Sequence, residues 1–80
     1  MKKNDLFNTS DFNEIIILYA SDLKINKTET VGARMYFYFE DGTKCRKILS
    51  DYLNDTLIMS VKKILESVRV IKSIIFKRNI

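Results

Sequence analysis

The stretch 33–49, ARMYFYFEDGTKCRKIL, constrains this chain more than any other, because apolar and polar side chains alternate on both sides of an Asp41-Gly42 pair. Alternation with period two marks a half-buried strand, and Asp-Gly between two such runs is a strong hairpin signal. Sorting the faces sets the expected loop length. A two-residue loop pairs Phe39 with Lys44 and Phe37 with Arg46, mixing apolar and charged groups on both faces. A three-residue loop, Glu40-Asp41-Gly42, pairs Phe39 with Thr43 and Phe37 with Cys45. Met35, Phe37, Phe39, Cys45 and Leu49 then share one face, while Arg34, Tyr36, Tyr38, Glu40, Lys44 and Arg46 share the other. A slip of one residue exchanges the faces, so the consistent sorting predicts the three-residue loop with Gly42 in a left-handed bulge. Lys47 is the misfit on the apolar face and has to snorkel past its edge.

On either side of this hairpin the patterns are less one-sided. Ser50 reads as a helix cap, with Asp51 in the first turn where the helix dipole favours negative charge. Leu53, Leu57, Val61, Ile64, Leu65 and Val68 form one apolar stripe, which predicts an amphipathic helix over about 51–67. The same 4-3 spacing runs on through Ile71 and Ile75 and fits a continuous helix to the C-terminus. Val68, Val70, Ile71, Ile74, Ile75 and Phe76 are strand formers, and they tip the reading to a final strand at about 69–77. Residues 11–25 also read both ways. Phe12, Ile15, Ile16, Tyr19 and Leu23 have helical spacing, with Asp11 and Glu14 as a cap pair. The β-branched run Ile15-Ile16-Ile17, followed by Leu18 and Tyr19, suits a strand buried on both faces and is preferred. Asn26 to Thr30 reads as a connection ending at Gly32, and residues 1–10 as a flexible arm. The expected architecture is a single α+β domain over 11–80. An antiparallel sheet of about four strands, centred on the hairpin 33–49, carries one helix packed on one face and a C-terminal strand.

Composition narrows the chemistry. With 80 residues, no His and a single Cys, the chain lacks the commonest general base and any thiolate metal cage. Cys45 has no His to activate it and lies on the expected apolar face, where a thiol is inert. Gly32 and Gly42 are isolated, so no phosphate-binding loop is present. Asp51 and Asp55 stand one turn apart, but their place near a helix start explains them. The expectation is therefore no enzyme, no metal and no cofactor. A lone Cys argues for a reducing compartment, and the run Ile15 to Ala20 is too short for a signal-peptide core or a membrane span, so a cytoplasmic protein without membrane contact is expected. A core this small leaves only about 3–5 kcal/mol of stability, which makes a homodimer a natural alternative to a monomer.

The surface that remains is basic. Fourteen Lys and Arg against ten Asp and Glu give a net charge of +4. Arg34, Tyr36, Tyr38, Lys44 and Arg46 are expected to stand together on the polar face of the hairpin, with Tyr38 near Lys44 and Tyr36 near Arg46. Tyr and Arg are the residues of protein hot spots, and rings interleaved with cations also suit single-stranded nucleic acid. The ordinary explanation is that Tyr is a good strand former covered by Arg, or that a helix covers the face. A second basic region, Lys62, Lys63, Arg69, Lys72, Lys77 and Arg78, adds a field that attracts phosphates or an acidic protein. The expected function is non-catalytic binding: a small accessory or regulatory factor that docks on a protein or nucleoprotein. A phage or mobile-element inhibitor of a host nucleoprotein fits the size and the abundance of Ile, Lys and Asn, residues with A/T-rich codons. The alternative is a single-stranded nucleic-acid-binding protein using the aromatic, basic sheet face.

Overall fold

Four consecutive aromatic residues, Tyr36 to Phe39, organise the molecule by alternating across the central strand of a sheet. The computed structural model describes residues 5–78. In chain order they form β1 (Leu6–Thr9), α1 (Phe12–Ala20), β2 (Ile25–Val31), β3 (Arg34–Glu40), α2 (Gly42–Leu53) and α3 (Val61–Arg78). The three strands are antiparallel in the order β1-β3-β2. Phe37 and Phe39 are wholly buried beneath the helices, and Tyr36 and Tyr38 point to the other side. The fold class is thus α+β, but with three strands and three helices rather than four strands and one helix.

The hairpin lies one element earlier than the 33–49 reading placed it. β2 and β3 join through Gly32-Ala33, with Val31 opposite Arg34. Gly32 has φ +61 and supplies the first central position of a two-residue turn, where glycine carries no steric penalty. Asp41-Gly42 instead starts a helix. Asp41 is the cap of α2, at φ 64, and its carboxylate accepts from the Lys44 N–H at 3.2 Å. Gly42 is not left-handed. Its role is close approach: its N–H donates to the Asp5 carbonyl at 2.9 Å, and a Cβ there would lie 2.7 Å from the Asp5 carboxylate. Cys45 and Leu49 are buried and Ile48 is half-buried, at i, i+3 and i+4, which is a helical stripe that also passes for alternation over so short a run.

The remaining differences follow from packing. α1 is a helix, not a strand, because it packs against both α2 and α3 as well as the sheet. A helix covered on so many sides is apolar nearly all round, and this produces the Ile15-Ile16-Ile17 run. Asp11 caps it, accepting from the Glu14 N–H at 3.1 Å, and Thr9 ties the cap down by donating to Glu14 Oε1 at 2.7 Å. Leu6 to Thr9, expected in a loose arm, form the edge strand β1; the first four residues of that arm lie outside the described residues. Ser50 lies within α2 rather than capping a helix, and α2 ends at Leu53 with Asn54 as its C-cap, so the expected helix over 51–67 is interrupted at residues 54–60. Ser60 begins the next helix: its carbonyl accepts from the Ile64 N–H and its hydroxyl from the Lys63 N–H. α3 then continues to Arg78, so residues 69–77 are helix, not strand. Its inward line runs through Ser67 and the fully buried Ile71, with the Ser67 hydroxyl donating to the Lys63 carbonyl at 2.7 Å.

Candidate functional site: the open face of the sheet

The helices pack on one side of the sheet, and the shortest dimension of the molecule, 18 Å, has room for one sheet and one helical layer. The other side of β3 therefore faces solvent. Arg34 and Glu40 are exposed there, with Tyr36 and Tyr38 half-buried between them. The register adds flanking residues on the same face: Asn8 opposite Tyr38 on β1, and Lys27, Glu29 and Val31 opposite Tyr38, Tyr36 and Arg34 on β2. A bulge between Ile25 and Lys27 sets this arrangement. It lets Ile25 turn inward against Phe39 while Lys27 turns outward, two residues that regular alternation would put on one face.

The polar atoms of this face are already coupled. The Lys27 ammonium lies over the Tyr38 ring, 4.8 Å from its centre. The Tyr38 hydroxyl donates to Glu29 Oε1 at 2.9 Å, and this bond to a carboxylate holds the phenol above its usual range. The Arg34 guanidinium donates to Ser10 Oγ at 3.1 Å, and Asn26 donates to Glu40 at 3.4 Å. Two cations, Lys27 and Arg34, thus share the face with two carboxylates, Glu29 and Glu40. The field over the sheet is mixed, not basic.

Of the five residues expected to stand together, the fold brings Arg34, Tyr36 and Tyr38 onto one surface and removes Lys44 and Arg46 from it. Those two lie on α2, in the helical layer. Arg46 pairs with Asp5 at 3.5 Å, and Lys44 is exposed. Burial alone would raise the Asp5 carboxyl, but bonds from the Thr43 hydroxyl and N–H and the nearby Arg46 outweigh it, so its pKa is lowered. Lys27, Glu29 and Asn8 were missed because their segments read as connection and arm. The available signal was Val31-Gly32-Ala33-Arg34, a two-residue turn that implies a strand before it.

Elsewhere the described residues offer little chemistry. They contain no group of three or more His, Cys, Asp or Glu able to hold a metal. Cys45 is buried on the inner side of α2, and burial pushes its thiol up to about 11, away from the nucleophilic thiolate. No helix among them is long and apolar enough to cross a membrane. A cleft of about 350 Å³ between the start of α1, the β2-β3 turn and Ile75 is lined by Phe12, Met35 and Phe37, with Arg34 at its margin.

A family model described as a domain of unknown function, DUF5659, matches residues 4–77. No curated protein and no solved structure matches the chain.

Proposed function

We propose that this chain, which belongs to the DUF5659 family, is a non-catalytic docking module: a small accessory or regulatory factor that binds a protein partner through the open face of its sheet. The observation that carries this reading is the uncovered outer side of β3, where Arg34, Tyr36 and Tyr38 stand in a row on a rigid central strand. Tyrosine and arginine are the anchors of protein hot spots, offering large contact area with a polar handle. A protein partner is favoured over nucleic acid by the charges around that row. Glu29 and Glu40 oppose phosphate approach, and the Tyr38 ring is already covered by Lys27. A single-strand platform needs free rings beside unopposed cations.

The test is affinity capture with the wild type, a Tyr36→Ala/Tyr38→Ala variant and an Arg34→Glu variant, each checked for folding by circular dichroism. A protein retained by the wild type after nuclease treatment, and lost from both variants, supports the reading. Capture that ignores these residues refutes it. Labelled oligonucleotides titrated at two salt concentrations supply the other arm. Binding that depends on the tyrosines and falls steeply with salt would replace the protein partner with single-stranded nucleic acid.

A further inference from the structure

The exposed side of α3 is a second surface, independent of the sheet. Val61, Leu65 and Phe76 are 70%, 60% and 62% exposed, large apolar side chains that lie off the inner line by which the helix fills the core. Arg69 and Lys72 are exposed between Leu65 and Phe76. The spacing 61, 65, 69, 72, 76 places all five on one line along the helix, about 22 Å long at 1.5 Å per residue. This line is separate from the one through Ser67 and Ile71 that faces the core. Neither Arg69 nor Lys72 forms an ion pair among the described residues. Glu66 is the one acid in α3, against Lys62, Lys63, Arg69, Lys72, Lys77 and Arg78.

We infer that this line docks an acidic amphipathic helix of a partner protein, with apolar side chains near its two ends and carboxylates between them. The order along α3 is apolar, apolar, cation, cation, apolar, and such a partner complements it group by group. A second copy of the chain fits poorly. Antiparallel two-fold pairing about the middle of this line sets Lys72 against the apolar Leu65 of the other copy and brings Arg69 beside the other copy's Arg69. A lipid surface fits poorly as well, because membrane-surface helices divide apolar and charged residues between sides rather than mixing them on one line. Phosphate recognition leaves Val61, Leu65 and Phe76 without a role.

The probe is a fluorescein-labelled 18-residue helical peptide, with Leu at the three positions facing Val61, Leu65 and Phe76 and Glu at the positions facing Arg69 and Lys72. Anisotropy titrations with the full chain should show saturable binding that weakens at least tenfold in an Arg69→Glu/Lys72→Glu variant and in Leu65→Asp. A peptide carrying Lys in place of those Glu residues should restore binding to the charge-reversed variant. All the substituted positions are exposed, so the variants should keep the wild-type circular dichroism spectrum. No peptide binding, or binding indifferent to these substitutions, would overturn the inference. So would a stronger response to phosphatidylserine vesicles than to the peptide, or a dimer in sedimentation abolished by Leu65→Asp. The sheet-face tyrosines are intact in every variant, so failure here leaves the docking reading of the sheet standing.

Discussion

Ile71→Val and Leu65→Ala make a matched pair whose relative cost depends on α3 being a helix docked by the line through Ile71. Ile71 is fully buried, and Ile71→Val removes a single methylene from a packed site, which costs about 1 kcal/mol (range ~0.5–1.5). Leu65 is 60% exposed. Leu65→Ala removes three carbons, yet most of them already touch water, and alanine is at least as good a helix former. That larger truncation should cost less than about 0.5 kcal/mol, as surface changes do. In urea a chain of this size unfolds with a slope of about 1 kcal/mol/M. Ile71→Val should therefore lower the midpoint by about 1 M, and Leu65→Ala by less than half of that, followed by far-ultraviolet circular dichroism. A neutral Ile71→Val, or a Leu65→Ala as costly as it, would refute the helical docking of residues 61–78. Against a total stability of about 3–5 kcal/mol, these shifts are readily resolved while both variants stay folded.

Four further outcomes follow from local structure. At Asp41, a left-handed cap, Asp41→Asn should be close to neutral and Asp41→Ala should cost about 1 kcal/mol, with Asp41→Gly between them; the urea midpoints of the three give the order. Gly32→Ala meets no neighbouring atom, so its cost, about 1 kcal/mol, should come from the +61° φ alone, and Gly32→Asn should recover part of it in the same assay. Asp5 has a folded pKa below its usual 3.8, so its contribution to stability is complete above that value and disappears as pH falls through the lowered one; Asp5→Asn should flatten the acid limb of a pH–stability curve, and an unchanged limb would remove the Asp5–Thr43–Arg46 cluster from the account. Cys45, buried with its thiol raised to about 11, should react with iodoacetamide at pH 8 far more slowly than a free thiol and become reactive through the urea transition.

β3 was legible because alternation of period two over Arg34 to Glu40 admits one sorting of faces, and the buried phenylalanines and outward tyrosines fall as that sorting requires. What followed was not, because Asp-Gly serves equally as a hairpin turn and as a helix start. Six residues from Lys44 to Leu49 are too few to separate period 2 from period 3.6. α1 showed helical spacing at Phe12, Ile15, Ile16 and Tyr19, but, packed on several sides, it carries little polar contrast, and the β-branched run Ile15-Ile16-Ile17 outweighed the period. α3 showed its 4-3 spacing plainly, and the β-branched content of Val70, Ile71, Ile74 and Ile75 outweighed it wrongly, since tertiary burial of Ile71 overrides a weak propensity. The candidate site split along the same fault. Arg34, Tyr36 and Tyr38 depended only on β3 and stayed together. Lys44 and Arg46 depended on the Asp41-Gly42 turn and left with it.

The central claim, that β3 turns two tyrosines to an open docking face and two phenylalanines to the core, is tested most directly by hydroxyl-radical footprinting of residues 36–39. Mass spectrometry of the free chain should show Tyr36 and Tyr38 oxidised and Phe37 and Phe39 spared. In the complex with the captured protein, both tyrosines should become protected while the phenylalanines stay unchanged. Phenylalanines as reactive as the tyrosines would contradict the face assignment, and tyrosines equally reactive in the complex would contradict docking through this sheet.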